Sequence, residues 1–554
     1  MAISMQESSK TMTRTLTQVA SCCPSCYDFC TKRLGLPAPV LNSAEVTQAI
    51  RARLSQCRTL DSIDMSNLMM LSDPNRPLRK HYKLGDRLGK GGYGTVFRAT
   101  SLLHGDLRAI KQIPKTNVKE DMMYVEQELQ VMVSLNHPNV VRLYEFFEEP
   151  TMIYLVTELC TGGDFSDLSI ETHEPEEIRT LFRDLMLAVC YCHDQMVAHR
   201  DIKFENCLIT DGDLSKGRKI AKVIDFGLSA IRSPNDEVGK WMNETLGTKY
   251  FIAPEVIDQS VKYGVKCDLW SVGVMLFIVL TGEHPCAANA IRIPQAQLFS
   301  RIRRGKIRND VMEEAGVESD AKEAILRLLV RDPVYRIDAR QALELEYFST
   351  PKKRKASFIK GTGHASRSSV NRFSAGLSRA MSFSGLSKFE KVILLLVAHR
   401  MEEKHVHELR QAFMSLDTAS NGSLSKEEVR AGLRHAGMDM KDEDFEALFR
   451  SIDINQTGTI SYFEWLASTL EPAHIASDRA IKELFSYFDI DGSGKISFHD
   501  LSIVLGEEVA RQALKASGKT GNGSDQLSFA DFRTLIMSLE KDIQRRHAEN
   551  KSPV

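Results

Sequence analysis

No run of apolar residues approaches the roughly 20 needed to span a bilayer. The longest, "VMLFIVL" (274–280) and "VILLLVA" (392–398), have the length of buried core segments. The first residues, "MAISMQESSKTMTRTLTQ", lack the apolar stretch of a secretory signal. A cytoplasmic, reducing compartment is therefore expected, with the 11 cysteines present mainly as thiols. An excess of charge of one sign is also missing. The formal net charge is −1 over 554 residues, so no global electrostatic footprint of a nucleic-acid binder exists. Four cysteines cluster in "SCCPSCYDFC" (21–30) and include one CxxC, but a second pair or a nearby His is lacking. That argues against a four-ligand zinc site. Ala2 stands where N-myristoylation needs glycine. S-palmitoylation and an arm with incidental thiols remain as readings of the cluster, and N-terminal acylation is the only route to a membrane.

What is present is unevenly distributed. From Pro351 to Lys391 there are ten Lys/Arg and one acid, whereas Met401–Glu540 holds 24 acids and 14 Lys/Arg. Composition divides the chain into an N-terminal extension (1–78), a block of alternating strand-like and helix-like segments (82–348), a basic junction (349–405), an acidic repeat region (406–540) and a tail (541–554). Within the extension, "VTQAIRARL" puts Val46, Ile50 and Leu54 on one helical face. "PKKRK" (351–355) is a short basic run of the kind found in nuclear-import signals and in solvated linkers.

The block at 82–348 carries five motifs in order. "LGKGGYGTV" (88–96) contains Gly89, Gly91 and Gly94, whose missing side chains let backbone approach phosphate. "RAIK" ends at Lys111, and a helical segment carrying Glu128 follows. "HRDIKFEN" supplies Asp201, Lys203 and Asn206; "DFG" begins at Asp225; "APE" ends at Glu255. Jointly these resemble the eukaryotic protein kinases.

The resemblance implies a bilobal α+β fold and a set of roles. Leu88, Gly89, Gly91, Gly94 and Val96 cover ATP, and Lys111, held by Glu128, neutralises its phosphates. The backbones of Glu158 and Cys160 bind the adenine behind the gatekeeper Thr157, and Asp164 binds the ribose. Asn206 and Asp225 hold Mg²⁺ through hard oxygens. Asp201 orients the substrate hydroxyl and takes its proton, with Lys203 and Thr248 beside it. Lys203 in "HRDIKFEN" points to Ser/Thr specificity, and Asp164 and Glu205 to protein substrates with a basic residue before the target. Glu244 stands where many such kinases need a phosphorylated threonine, and pairing with Arg200 is expected.

The acidic region repeats every 36 residues: "DTASNGSLSKEE" from Asp417, "DINQTGTISYFE" from Asp453, "DIDGSGKISFHD" from Asp489. Each fits an EF-hand loop, with oxygen ligands at alternate positions, glycine at position 6 (Gly422, Gly458, Gly494) and an acid at position 12. The expected Ca²⁺ ligands are Asp453, Asn455, Thr457, Thr459 and Glu464; Asp489, Asp491, Ser493, Lys495 and Asp500; and Asp417, Asn421, Ser423 and Glu428, with Ala419 losing one ligand in the last set. Leu424, Ile460 and Ile496 at position 8 should pair loops through short β-bridges. A fourth unit, "TGNGSDQLSFAD" (520–531), has Thr520 for the first acid and reads as a structural partner without calcium.

A kinase, a basic junction and EF-hands in one chain resemble the calcium-dependent protein kinases of plants and protozoa, over about residues 80–540. An all-α EF-hand domain after the kinase fold is implied, with ATP, Mg²⁺ and Ca²⁺ as cofactors and a monomeric state. The segment 385–401 places Phe389, Ile393, Leu396 and Arg400 at helical spacing, with Lys388 and Lys391 nearby. A basic amphipathic helix of this kind should switch between the kinase and an acidic EF-hand groove. Leu377, Arg379 and Ser382 have the spacing of a tethered substrate mimic, and Ser382 should become autophosphorylated after release. The complete catalytic set disfavours a non-catalytic calcium scaffold, and the built-in EF-hands make external calmodulin unnecessary.

Overall fold

The computed structural model describes residues 77–91, 94–115, 122–211, 218–232, 242, 246–258, 262–349, 379–401, 403–435, 438, 440–521 and 525–549. The cysteine cluster at 21–30, the segment 46–54, the run 351–355, Glu244 and Leu377 lie outside them.

Five antiparallel strands open the fold: β1 (Tyr82–Lys90), β2 (Thr95–Ser101), β3 (Leu107–Pro114), β4 (Leu143–Glu148) and β5 (Met152–Thr157), in the spatial order β1-β2-β3-β5-β4. The β1–β2 hairpin is the glycine-rich motif. Gly94 is required by packing, since a Cβ there would lie 2.4 Å from the Gln112 carbonyl oxygen. Helix α1 (Met122–Ser134) turns Val125, Leu129 and Met132 into the core beside the sheet.

The second lobe is helical. Helix α2 (Pro175–Asp194) starts with proline at its first turn and Glu176 and Glu177 near its N-terminus, both favourable there. Helix α3 (Lys266–Thr281) is apolar nearly all round and is accordingly buried; Gly282 ends it at φ +73°. Short antiparallel pairs, β6 (Val197–Ala198) with β9 (Ala230–Ile231) and β7 (Cys207–Asp211) with β8 (Lys219–Val223), frame the loops of the cleft between the lobes.

The C-terminal third is helical: α4 (Lys388–Arg400), α5 (Glu403–Leu416), α6 (Lys426–His435), α7 (Asp442–Ile452), α8 (Tyr462–Thr469), α9 (Asp478–Phe488), α10 (Phe498–Leu505), α11 (Glu507–Ala516) and α12 (Phe529–Glu549). Two minimal sheets tie its loops in pairs. β10 (Ser423–Leu424) joins β11 (Ile460–Ser461) with Leu424 opposite Ile460; β12 (Lys495–Ser497) joins β13 (Gln526–Ser528) with Ile496 opposite Leu527. The position-8 bridges expected from the repeat are present, including the one to the fourth unit. Among the described residues no helix is long and apolar enough to cross a membrane.

The junction helix α4 departs from the expected one-faced amphipath. It starts at a capping box between Ser387 and Glu390, and then every residue from Val392 to His399 is buried. An all-round buried helix needs neighbours on every side. Helix α8 of the first EF-hand pair packs on it, as do α9 and α11 of the second, and all share one hydrophobic core with Phe383 and Leu386. Lys391, read from the sequence as part of a basic face, turns inward instead. Its ammonium donates to the Ser451 carbonyl at 2.6 Å, and burial pushes its pKa down.

Candidate functional site: a phosphotransfer cleft and its calcium module

The cleft is assembled from both lobes. Lys111 Nζ on β3 lies 2.6 Å from Glu128 Oε1 on α1 and 2.8 Å from Asp225 Oδ1. Burial alone would push the Lys111 ammonium down, but the two carboxylates outweigh it and its pKa lies above the ordinary value. Burial would raise Asp225; the lysine pulls it below the usual carboxylate range. Asp225 sits at φ +62°, a left-handed conformation that non-glycine residues adopt rarely and that often marks functional sites.

Asp201 is the hub of the second half. Its Oδ2 accepts from Lys203 Nζ at 2.6 Å, and its Oδ1 from the Thr248 backbone N–H at 3.0 Å and hydroxyl at 2.8 Å. Asn206 Nδ2 donates to the Asp201 carbonyl oxygen at 2.9 Å and to Oδ2 at 3.1 Å. With its amide nitrogen engaged, Asn206 keeps Oδ1 for a hard cation. Together with the Asp225 carboxylate this is a donor set that fits Mg²⁺. At the adenine end, Thr157 Oγ1 donates to the Ala109 carbonyl, and Asp164 caps a short turn through the Ser166 N–H at 2.7 Å. Leu88 is exposed on β1, and Gly91 N–H donates to the Gly94 carbonyl at 2.9 Å.

Three supporting groups escaped the sequence reading. Asp268, 1% exposed in the first turn of α3, accepts from the backbone N–H of His199 (2.9 Å) and Arg200 (2.8 Å) and faces His193 Nε2 at 2.9 Å. It fixes the backbone that carries Asp201. A lone acid in an otherwise apolar helix was the available signal. Glu255, known only as the end of "APE", forms a buried bidentate pair with Arg336 at 2.6 and 2.9 Å. Arg142, immediately before β4, carried no sequence signal at all. Arg200, expected beside Glu244, donates to the Leu228 and Ser229 carbonyls next to Asp225; Glu244 itself falls outside the described residues.

The calcium loops hold their oxygens in register. In the loop at 453, Asp453 Oδ1 accepts from the Thr457 N–H and Oδ2 from the Gly458 N–H, both at 2.9 Å. Glu464 accepts from the N–H groups of Ile454 (2.8 Å) and Ser461 (2.9 Å). Burial pushes Glu464 up to about 7 despite the Ser461 donors. A carboxylate set of this kind, closed by Asn455, Thr457 and a carbonyl, fits Ca²⁺, whose charge would relieve the buried anions. In the loop at 489, Asp489 accepts from the Gly494 N–H at 3.0 Å and Asp500 from the Ser497 N–H at 2.8 Å. In the fourth unit Lys519 Nζ lies 3.3 Å from Asp531, the position-12 acid, so a protein cation occupies that end of the loop.

The segment before α4 does not lie in the cleft. Ser382 is 4% exposed and packs near Phe383, Leu394 and Ala467, while Arg379 Nε donates to the Thr469 carbonyl at 2.6 Å. In this arrangement the Ser382 hydroxyl is buried in the EF-hand module, away from the cleft in which its autophosphorylation was expected.

The fold and cleft define a protein kinase, and the paired loops define an EF-hand module. Residues 82–348 match the protein kinase domain family, 407–469 the EF-hand domain pair and 481–505 the EF hand. The chain is 32% identical over 387 residues to calcium-dependent protein kinase 7 of Oryza sativa subsp. japonica, covering 69% of this chain and 67% of that protein. It is 30% identical over 396 residues to calcium-dependent protein kinase 25 of Arabidopsis thaliana, covering 71% of each. Calcium-dependent protein kinase 3 of Plasmodium yoelii yoelii is 32% identical over 377 residues, 67% of this chain and 65% of that protein. The chain belongs to the calcium-dependent protein kinase family. It is a calcium-activated protein serine/threonine kinase that binds ATP and Ca²⁺ and acts on protein substrates.

Proposed function

We propose that the arrangement described is the calcium-engaged, working state, and that calcium acts by seating α4 in the EF-hand module and the module on the back of the kinase. One observation carries this reading. Arg142 Nη1 donates to the His399 carbonyl at 3.0 Å and to the Met401 carbonyl at 2.6 Å, the free carbonyl end of α4. Its own backbone N–H donates to Glu158 Oε1 at 2.8 Å, and Glu158 N–H returns a bond to the Arg142 carbonyl. Glu158 lies in the adenine-binding segment and pairs with the buried Lys222 at 3.1 Å. The seated helix is thus two bonds from the nucleotide site, while the Lys111–Glu128 pair and the Asp201 hub are formed.

At rest, Leu377, Arg379 and Ser382 compete with substrates at the cleft, and α4 lies against the kinase. When calcium fills the loops at 453 and 489, the groove opens and takes α4 and its preceding segment away. Phosphotransfer then follows the cleft chemistry. Asn206 and Asp225 would hold Mg²⁺, which would supply positive charge to the phosphates. Lys111 holds them, Asp201 orients a Ser/Thr hydroxyl and takes its proton, and Lys203 offsets charge on the moving phosphoryl group. Asp164 and Glu205 select a basic residue before the target. Glu244 supplies constitutively the charge that a phosphothreonine supplies elsewhere. The enzyme works as a cytoplasmic monomer, with membrane contact only through acylation of the cysteine cluster at 21–30.

The test is phosphorylation of Leu-x-Arg-x-x-Ser peptides by the full chain, with calcium or a chelator and with or without calmodulin. Activity that needs calcium, ignores calmodulin and drops when the Arg is replaced supports the reading. Equal activity in chelator overturns it.

A further inference from the structure

The three glycines at position 6 of the calcium loops share a conformation and differ in what they face. Gly458 (φ +82°) and Gly494 (φ +81°) have nothing within 4 Å of where a Cβ would stand. At Gly422 (φ +73°) a Cβ would lie 2.5 Å from Tyr191 Cδ2 and 2.6 Å from His137 Cδ2. Those two rings belong to the kinase. Tyr191 is on α2, and His137 is in the loop between α1 and β4. They stack with centroids 4.9 Å apart at 22°, and the Tyr191 hydroxyl is held by the Asn136 N–H at 2.7 Å. The first loop therefore rests its backbone on a rigid two-ring platform, as only a glycine allows.

The charges around this contact are also unlike those of the other loops. Position 3 is Ala419, which offers no side-chain oxygen, and its carbonyl instead accepts from Arg340 Nη1 at 3.4 Å. Arg340 is itself steadied by Asp194 at 2.9 Å. Arg183 of α2 lies within the field of Asp417, the position-1 acid, which is buried. Asp417 and Glu428 accept from the loop's own N–H groups, Gly422 at 2.8 Å and Ala419 at 2.8 Å, just as Asp453 and Glu464 do in theirs, so the difference lies at position 3 and in the kinase groups facing the loop. A kinase arginine, Arg340, thus stands at the end of the loop where the lost ligand would have helped to hold a cation.

We infer that the first EF-hand loop, 417–428, is not a third calcium sensor but the element that docks the module onto the kinase, with the His137–Tyr191 platform and Arg340 as its receptor. Calcium is sensed at 453 and 489, and the first loop turns that signal into a position on the kinase.

Two alanine variants of the full chain separate the contact from backbone strain, because both glycines have positive φ and only one faces the kinase. Gly422→Ala should lower maximal calcium-stimulated phosphotransfer by about 5-fold or more. It should also remove the calcium-dependent hydrogen-exchange protection of 183–194. Gly458→Ala should shift the calcium midpoint while saturating calcium restores the maximum. Glu428→Gln should leave the midpoint within about twofold, unlike Glu464→Gln. Arg340→Ala, outside the loops at 453 and 489, should weaken the protection and serves if Gly422→Ala fails to fold. The inference is overturned if Glu428→Gln shifts the midpoint as far as Glu464→Gln does. It is equally overturned if protection of 183–194 survives both Gly422→Ala and Arg340→Ala. A chain whose activity ignored calcium would contradict calcium activation, and the exchange data would still read docking directly.

Discussion

In the catalytic cleft Glu128, Asp201 and Asp225 each already touch a cation of the protein, whereas in the calcium loop at 453–464 the carboxylates touch only N–H and hydroxyl donors. Glu128 and Asp225 share Lys111, and Asp201 holds Lys203. Glu464 and Asp453 have the loop backbone and Ser461, and the Glu464 carboxyl sits near neutral pH. The difference assigns the parts of a switch. A cleft whose charges are internally balanced keeps its shape without ligand. A loop whose charges are unbalanced changes most when a divalent cation arrives. The fourth unit marks the boundary between the two kinds, since Lys519 on Asp531 makes a calcium-shaped loop behave like the cleft.

The sharpest way to break the comparison is to strike one side only. Asp201→Asn should reduce phosphotransfer by roughly 10³-fold or more, with the calcium titration of the same protein unchanged when followed by Trp465 fluorescence. A calcium response altered in parallel would mean the two regions are not separable.

On the other side, Glu464→Gln removes a buried ligand and should raise the calcium needed for half-activation by about tenfold or more. Asp531→Asn should change it little. Equal shifts would deny the distinction drawn from Lys519.

Between the two regions stands Arg142. Arg142→Ala removes charge-assisted bonds each worth about 1.5–3 kcal/mol. It also removes a guanidinium 4.9 Å from the Phe463 ring centroid. The expected result is a several-fold loss of calcium-stimulated activity with the calcium midpoint moved upward, since a weaker seat is linked to weaker calcium binding. A full-activity variant would show that the α4 carbonyl end is not part of the coupling.

A smaller effect should come from pH. His399 on α4 is buried, with its ring edge-on to Tyr144 and Phe463. Burial pushes its pKa well down, the guanidinium groups of Arg142, Arg400 and Arg108 push the same way, and only the Leu143 carbonyl opposes them. A histidine depressed in the seated state takes up a proton more readily when undocked. The stability it contributes is therefore present above its ordinary pKa of about 6.5 and is lost as pH falls below it. Calcium-dependent protection of α4 should weaken from pH 7 to 5.5, and His399→Gln should flatten that dependence. The smallest effect is expected from phosphatase treatment, which should leave calcium-stimulated activity intact if Glu244 supplies the needed charge.

The legible parts of the molecule are those whose chemistry is packed into a few consecutive residues. "HRDIKFEN" brings Asp201, Lys203 and Asn206 together because a tight loop of that length can only fold them onto one spot. The repeat at 417, 453 and 489 placed its glycines and its bridging apolar residues for the same reason, and β10–β11 and β12–β13 follow. Asp268 and Arg336 were not legible because they act on partners 68 and 81 positions away.

The sequence by itself determined the reaction, the nucleotide and the calcium loops, since local spacing sets the distance between the groups that do each job. Only the tertiary structure decided where the junction goes. Eight consecutive buried positions in α4, Ser382 sealed in the EF-hand module, and Gly422 pressed onto kinase rings all depend on surfaces from distant parts of the chain. The bond from Arg142 to the His399 carbonyl spans 257 residues. A period in the sequence states that a helix has an apolar face. Which surface covers that face is settled by the burial, charge and shape of every competing partner, and those exist only once the chain has folded.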